Sequence, residues 1–192
     1  MITIDSNIKG LIFDLDGTLV DSMSAHYEAW KDVAESNGFK FPEDYFYSLA
    51  GIPTTKIIGI LGEKHNIDLD INKITHLKEE AYFKRLNRVK IIEPVFDVVK
   101  RYFKVLPMSI GTGGKKDVSI RVIKELGLDK YFDIMVAAED VENHKPAPDT
   151  FLECAKLMNI LPEYCVVFED SELGIQAAKT AGMSVIDIRR YL

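Results

Sequence analysis

The stretch that decides the fold is residues 10–18, which read GLIFDLDGT. The apolar run 10–13 ends abruptly in Asp14, and Asp16, Gly17 and Thr18 follow at once. A short apolar run that stops at turn-forming residues predicts a buried strand leading into a tight loop. Three later runs have the same form, and they cover residues 106–111, 134–138 and 165–168.

Amphipathic helical patterns alternate with these runs, at residues 94–103, 115–126, 148–159 and 172–181. Strands that are apolar on both sides, alternating with helices, indicate a parallel sheet with helices on both faces. Residues 23–88 break the alternation, because they contain only helical patterns, at 25–37, 54–65 and 71–88. We therefore predict an α/β fold, a doubly wound parallel sheet. Residues 1–22 and 89–192 form its Rossmann-like core, and residues 23–88 form an inserted helical cap domain.

Composition argues against several classes of protein. The 192 residues include 24 Lys and Arg against 30 Asp and Glu, a net charge of −6, so no basic patch for nucleic acid is expected. Apolar runs are too short to span a bilayer and the first ten residues lack the pattern of a signal peptide. We expect no membrane partner, a cytoplasmic location, and a monomer or small homo-oligomer. Cys154 and Cys165 are interpreted as reduced packing residues.

The ends of the predicted strands carry a set of carboxylates. Asp14 and Asp16 are alternate residues of one extended turn, so both can reach a common site while Leu15 points into the core. Carboxylates held this close repel each other, and both ionise at neutral pH only when a cation lies between them. Glu169 and Asp170 end the fourth run and add the hard oxygen ligands that Mg²⁺ prefers. The pattern favours a magnesium site.

Groups that could bind a phosphate lie in the same predicted loops. Thr18 offers a hydroxyl beside Asp16, and Thr112 is followed by Gly113 and a second glycine near a helix start, where exposed amides favour an anion. Lys145 is a cation in a loop stiffened by two prolines. Phosphoryl transfer needs a nucleophile, a proton donor and positive charge, and these loops supply all three.

In this order along the chain, the motifs resemble those of the haloacid-dehalogenase-like hydrolase superfamily, and the likeness covers nearly the whole sequence. The resemblance implies that Asp14 is the nucleophile, which becomes an aspartyl-phosphate, and that Asp16 is the general acid and base. It implies that Thr112 and Lys145 bind the phosphoryl group.

The same likeness implies how magnesium is held. Its ligands would be Asp14, the carbonyl of Asp16 and Asp170, with Glu169 orienting or joining that shell.

The helical insert resembles the cap of the subgroup that contains beta-phosphoglucomutase and sugar-phosphate phosphatases. The stretches SIGTGG, AAEDVENHKPAPDTF and CVVFEDSELGIQAAKTAGM are similar to bacterial phosphatases for fructose-1-phosphate and 6-phosphogluconate. The likeness implies a magnesium-dependent phosphatase for a small phosphorylated metabolite. It also suggests that His26 closes the cap over the substrate, although a packed histidine beside Trp30 fits equally. Lys78 is interpreted as a solvated lysine rather than a substrate contact, and Asp21 and Ser22 as helix caps.

Single sequence features distinguish the alternative functions from a phosphatase. A phosphomutase shares the aspartyl-phosphate, but in its pattern an arginine follows the cap's glycine loop, and Thr54 occupies that place here. Dehalogenases of the superfamily lack the second acid, whereas Asp16 and Asp170 are both present. A receiver-type phosphorylation switch needs no lid, and an inactive binding relative would usually have lost one member of the set.

Overall fold

The run at residues 10–13 forms the central strand of a five-stranded sheet in the computed structural model, which describes residues 2–192. The core strands are β1 (Gly10–Phe13), β2 (Val20–Asp21), β3 (Lys90–Ile91), β4 (Met108–Gly111), β5 (Ile134–Val136), β6 (Cys165–Glu169) and β7 (Ser184–Asp187). The helices are α1 (Met23–Ser36), α2 (Glu43–Ser48), α3 (Thr54–His65), α4 (Ile71–Phe83), α5 (Glu93–Tyr102), α6 (Lys116–Glu125), α7 (Asp149–Met158) and α8 (Glu172–Thr180). The sheet order is β5-β4-β1-β6-β7, with every neighbouring pair parallel.

Alternate residues of the central strand enter different hydrophobic clusters. Leu11 and Phe13 pack with apolar residues of α5 and α6, while Ile12 packs with those of α7 and α8. Phe13 also stacks on Phe168 of β6 with ring centroids 4.5 Å apart. Burying a side chain of this size stabilises the fold by about 2–3 kcal/mol. Both faces of the parallel sheet are therefore covered by helices, and the predicted fold class is confirmed.

Helices α1 to α4 build a separate hydrophobic cluster around Trp30, which is 2% exposed. A third helix expected over residues 71–88 is shorter than predicted, because α4 ends at Phe83 and only a 3₁₀ turn follows at Leu86–Arg88. The six-residue α2 and the edge strand β7 were not predicted. Our division into a cap at 23–88 and a core remains a proposal, which the position of these four helices supports.

The chain leaves and re-enters the core at a two-stranded antiparallel ladder. Val20 of β2 pairs with Ile91 of β3, and Asp21 pairs with Lys90. Within residues 2–192, none of the helices has both the length and the apolar character needed to cross a membrane. Cys154 and Cys165 are buried free thiols, consistent with their interpretation as packing residues.

Candidate active site

The carboxyl ends of three neighbouring strands bring the acidic residues together. Asp14 follows β1, Thr112 follows β4, and Glu169 is the last residue of β6. Asp14 donates its backbone N–H to the Phe168 carbonyl at 3.0 Å, which ties the β1 loop to β6. The loop after β5 adds Lys145. Residues far apart in sequence therefore meet at one edge of the sheet.

Lys145 lies at the centre of this arrangement and its side chain is fully buried. Its ammonium donates to Asp14 Oδ1 at 2.6 Å and to Glu169 Oε2 at 2.7 Å. Burial alone would disfavour the charge, but the two carboxylates raise the pKa of Lys145 above its ordinary value. The lysine is a cation at every physiological pH.

The carboxylates outnumber the ammonium. Asp14, Glu169 and Asp170 carry three negative charges when ionised, against one positive charge on Lys145. Burial, followed by repulsion from Glu169, raises the pKa of Asp14 well above its ordinary value and that of Asp170 to about 7. The cluster therefore has a deficit of two positive charges, which a divalent cation would remove.

The geometry of these carboxylates also fits a cation. Asp14, Glu169 and Asp170 each offer an oxygen, and the three oxygens lie within 4.8 Å of one another. Glu169 is already heavily engaged: Oε1 accepts from the backbone N–H groups of Asp170 and Ser171 and from the Ser171 hydroxyl, and Oε2 accepts from Lys145. Oxygen ligands of this type suit Mg²⁺. Glu169 is thus placed to orient the cluster, and Asp14 and Asp170 are freer to bind the ion.

Gly17 shapes the loop beside this cluster. Its φ of +87° lies in the left-handed region, and a Cβ at this position would stand 2.5 Å from Asp170 Oδ2. Thr18, the next residue, is fully buried and donates its hydroxyl to Asp170 Oδ1 at 2.8 Å. This bond positions the Asp170 carboxylate, and binding of phosphate by Thr18 stays a prediction.

Thr112 and Gly113 lie on the opposite side of Asp14. The Thr112 hydroxyl accepts the backbone N–H of Gly114 at 2.9 Å, so the loop after β4 is held in a tight turn. A Cβ on Gly113 would collide with the carbonyl of Gly51, because the cap touches the core here. Only glycine allows this approach.

Asp16 faces away from the cluster and toward the cap. Its Oδ1 accepts from the Ser22 hydroxyl and lies 3.1 Å from His26 Nε2. Burial would raise the pKa of Asp16, but His26 and Ser22 lower it to about 2. Ser22 stands at the N-cap position of α1 without making a capping bond, so its interpretation as a simple helix cap was wrong. The Asp16 carboxylate is outside the predicted metal cluster, which leaves its carbonyl for that role.

His26 connects Asp16 to a lysine of α4. Lys78 Nζ lies 2.9 Å from His26 Nδ1, and the imidazole ring stacks on Tyr82 with centroids 3.8 Å apart. Because an ammonium can only donate, Nδ1 accepts and Nε2–H donates to Asp16. Burial and the neighbouring Lys78 lower the pKa of His26, so the imidazole is neutral.

Lys78 is 6% exposed, so its interpretation as a solvated surface lysine was wrong. A signal was present in the sequence: Ile74, Lys78, Ala81 and Tyr82 follow helical spacing and form the buried face of α4. Lysine is almost never fully buried without a partner, so a lysine at a buried position implies a contact such as the one with His26.

A cavity of about 80 Å³ lies between these groups and the cap. Asp14, Asp16, Thr112 and Gly113 line its core side. The cap side combines His26 and Lys78 with an apolar wall made by Met23, Trp30, Phe46, Leu49, Ile52 and Ile57. A small group in this cavity would contact both Asp14 and Asp16.

Comparisons with known proteins agree with this geometry. A family model described as haloacid dehalogenase-like hydrolase matches residues 11–188. The fructose-1-phosphate phosphatase YqaB of Escherichia coli is 42% identical over 180 residues, covering 94% of this chain and 96% of that protein. A phosphorylated carbohydrates phosphatase of Thermotoga maritima is 32% identical, covering 93% of this chain and 84% of the relative. The crystal structure of beta-phosphoglucomutase from Clostridium difficile superposes with a TM-score of 0.82 at 28% identity, covering 93% and 83% of the two chains.

Proposed function

We propose that this chain, which belongs to the haloacid dehalogenase-like hydrolase family, hydrolyses a small sugar phosphate through an aspartyl-phosphate on Asp14 with the help of Mg²⁺. The predicted enzyme class, a phosphoric monoester hydrolase, is confirmed by the family match and the phosphatase relatives. The observation that carries the mechanism is the buried cluster in which Lys145 bridges Asp14 and Glu169 beside Asp170.

Asp14 is the nucleophile in this proposal. Lys145 occupies Oδ1, which leaves Oδ2 for in-line attack on phosphorus, and the same ammonium can neutralise a phosphoryl oxygen. As the bond between Asp14 and phosphorus forms, the ester bond breaks. Asp16 in its protonated form, which the hydrolytic half of the cycle regenerates, gives its proton to the departing sugar oxygen. Water then attacks phosphorus, Asp16 takes the proton of that water, and Asp14 is released with inorganic phosphate.

The remaining residues bind and orient. Thr112 and the amide of Gly113 can hold the phosphoryl oxygens, because both residues line the cavity beside Asp14. Asp14, Asp170 and the Asp16 carbonyl would hold Mg²⁺, which when bound would neutralise charge on the phosphoryl group. Glu169 and Thr18 keep Lys145 and Asp170 in place.

The sugar-phosphate assignment is supported by the relatives. The proteins named as phosphatases for fructose-1-phosphate and phosphorylated carbohydrates span nearly this whole chain. The cavity next to Asp16 fits an organic group, since the cap covers it with an apolar wall and contributes Lys78 and Thr54 as hydrogen-bonding groups, while both ring nitrogens of His26 are already engaged. A ketohexose 1-phosphate or a phosphorylated sugar acid of the 6-phosphogluconate type is the substrate that we propose.

The test is release of inorganic phosphate from a panel of phosphorylated metabolites, with and without Mg²⁺. Asp14→Asn should lower turnover by about 10⁴-fold or more because it removes the attacking carboxylate. The matched control is Asp129→Asn, an exposed aspartate remote from the cluster, which should retain wild-type activity. Near-normal turnover in Asp14→Asn, or full activity in the presence of excess chelator, would refute the mechanism.

A phosphomutase is the second candidate, because a beta-phosphoglucomutase of Bacillus subtilis is 28% identical over 188 residues. Its transfer to a second hydroxyl requires the cap to grip a distal phosphate, and Thr54 lines the cavity where the mutase pattern has arginine. Isomer formation from a hexose phosphate without release of phosphate would favour the mutase.

A further inference from the structure

A second cavity opens where the cap meets the core, beside the small cavity at Asp14. It has a volume of about 380 Å³ and lies between α3, α4 and the loops after β4 and β5. We call it the distal groove. Its neutral hydrogen-bonding side chains are Thr55, Asn72, Thr75 and His76 of the cap and His144 of the core. The core also contributes the exposed carboxylate of Glu139.

The distal groove adjoins the reaction cavity. Thr54 and Gly113 line both spaces, so an organic group bound at Asp16 would have to pass these two residues to reach the groove. The reaction cavity itself has about 80 Å³, room for only a handful of water molecules by the same measure. A six-carbon chain that carries its phosphate at one end would fill this space and reach into the groove.

Two buried polar atoms at the groove lack partners among residues 2–192. Thr75 Oγ1 and His144 Nδ1 are both buried without a hydrogen bond. A threonine within a helix often bonds the carbonyl four residues earlier, and Thr75 does not. Burial, and then the charge of nearby Lys56, lower the pKa of His144, so the imidazole is neutral and suited to a hydroxyl. Both atoms have almost no exposed surface, so a ligand hydroxyl reaches them only after a small shift of the surrounding side chains, and the hydrogen bond gained favours that shift.

The charges of the groove are unsuited to a second phosphate. Lys115 is the ammonium that lines it, and Glu79 and Asp117 each lie 3.2 Å from its Nζ. Glu139 adds another carboxylate, whose Oε2 accepts the backbone N–H of Lys116 at 3.0 Å. An incoming dianion would meet these carboxylates, and Lys115, the ammonium among the described groove-lining side chains, is already paired, while Lys56 acts only from outside the lining.

We propose that the distal groove binds the phosphate-distal hydroxyls of an extended, terminally phosphorylated polyol, and that it disfavours substrates with a second phosphate. The proposal rests on the phosphatase function above and names the substrate class of that site. Thr55 and Thr75 are its specificity-determining residues, and Glu139 discriminates against the second phosphate.

The first experiment compares fructose-1-phosphate with glycerol phosphate and acetyl phosphate, which are too short to reach the groove. Thr75→Val keeps the side-chain shape and should lower kcat/KM about three- to tenfold for the hexose phosphate alone. The same change should leave the free protein as stable or more stable, because it removes an orphaned hydroxyl. Thr55→Val, at an exposed position, should lower kcat/KM for the hexose phosphate in the same selective way, and the remote exposed Thr180→Val is the matched control.

The second experiment compares fructose-1-phosphate with fructose-1,6-bisphosphate. The wild type should prefer the monophosphate, and Glu139→Gln, which keeps an acceptor for Lys116, should raise relative kcat/KM for the bisphosphate about fivefold. Glu142→Gln, exposed in the same loop, is the control.

Each outcome has a distinct meaning. Acetyl phosphate and glycerol phosphate show whether the enzyme is active. If both are hydrolysed, and each threonine variant either lowers kcat/KM equally for every substrate or leaves it unchanged for every substrate, the groove does not bind the polyol. Equal use of monophosphate and bisphosphate by the wild type would overturn the charge argument. If no phosphate ester or acyl phosphate is hydrolysed, it is the proposed function that fails.

Discussion

Replacing Lys78 by methionine should flatten the dependence of stability on alkaline pH. The Lys78 ammonium is 6% exposed and contacts His26 Nδ1 at 2.9 Å. Burial lowers the pKa of Lys78 from the ordinary 10.5 to about 8, although Asp16 and Glu79 act in the opposite direction. The native protein therefore holds a charge that it disfavours at neutral pH.

Whether stability rises or falls with pH depends on which state, folded or unfolded, binds more protons. Between the folded pKa of about 8 and the unfolded value of 10.5, the unfolded chain keeps the Lys78 proton and the native protein loses it. Stability rises with pH wherever the unfolded state binds more protons. Burial of the Lys78 charge lowers the free energy of unfolding by about 3 kcal/mol near pH 8 and by about 1 kcal/mol at pH 10. Between these pH values the wild type should therefore gain about 2 kcal/mol of stability relative to the variant.

The assay is urea unfolding at several pH values between 7 and 10, without metal. Trp30 is the one tryptophan in the sequence and lies in the core of the cap, so its fluorescence reports unfolding there. Lys78→Met leaves His26 Nδ1 without its donor and removes one of the two causes that lower the pKa of His26. The slopes are therefore compared between about pH 8 and 10, above the ordinary pKa of an imidazole. Lys73→Met, exposed on the same helix, should follow the wild-type curve. Parallel curves for Lys78→Met and the wild type would refute the buried-ammonium argument.

Three further changes test the metal cluster by calorimetric titration of Mg²⁺. Asp170→Asn removes a carboxylate charge, and we expect Mg²⁺ affinity to fall about tenfold or more; unchanged affinity would place the ion elsewhere. Gly17→Ala should cost about 1–2 kcal/mol of stability at a φ of +87° and should weaken Mg²⁺ binding, since its Cβ would displace the Asp170 carboxylate. Gly59→Ala is its control, with nothing within 4 Å of the new Cβ, and should be about 1 kcal/mol more stable. Thr18→Val removes the hydroxyl that Asp170 accepts and should weaken Mg²⁺ binding by about three- to tenfold without loss of fold; equal affinity would show that this bond does not position the carboxylate.

The elements of the fold that could be predicted are those in which a short apolar run is followed directly by a polar loop. Strands β1, β4, β5 and β6 are short apolar runs that end in polar loops, and the sequence predicted all four. Strand β7 was missed because its residues are half-exposed at the edge of the sheet and their pattern is weak. Helix α2 was missed because a six-residue helix is stabilised by packing of Phe46 in the cap rather than by its own propensity.

For the site, sequence reasoning found the groups that lie at strand ends. Parallel strands end at one edge of the sheet, so the meeting of Asp14, Lys145 and Glu169 was foreseeable. Individual side-chain partners were not foreseeable. Spacing along α4 could have placed Lys78 on the buried face, but its contact with His26 depends on how α4 packs on α1. The partner of the Thr18 hydroxyl depends on the turn at Gly17.

Asp16 shows how a residue of the core can depend on the cap. The groups that keep it ionised include His26 on α1, which is held in turn by Lys78 on α4. With a pKa of about 2, Asp16 in this arrangement is ionised, so it has no proton to donate and is only a weak base toward water. Both of its roles require a higher pKa, which follows if the contact with His26 weakens. Because His26 and Lys78 belong to cap helices, the position of the cap sets the proton affinity of Asp16.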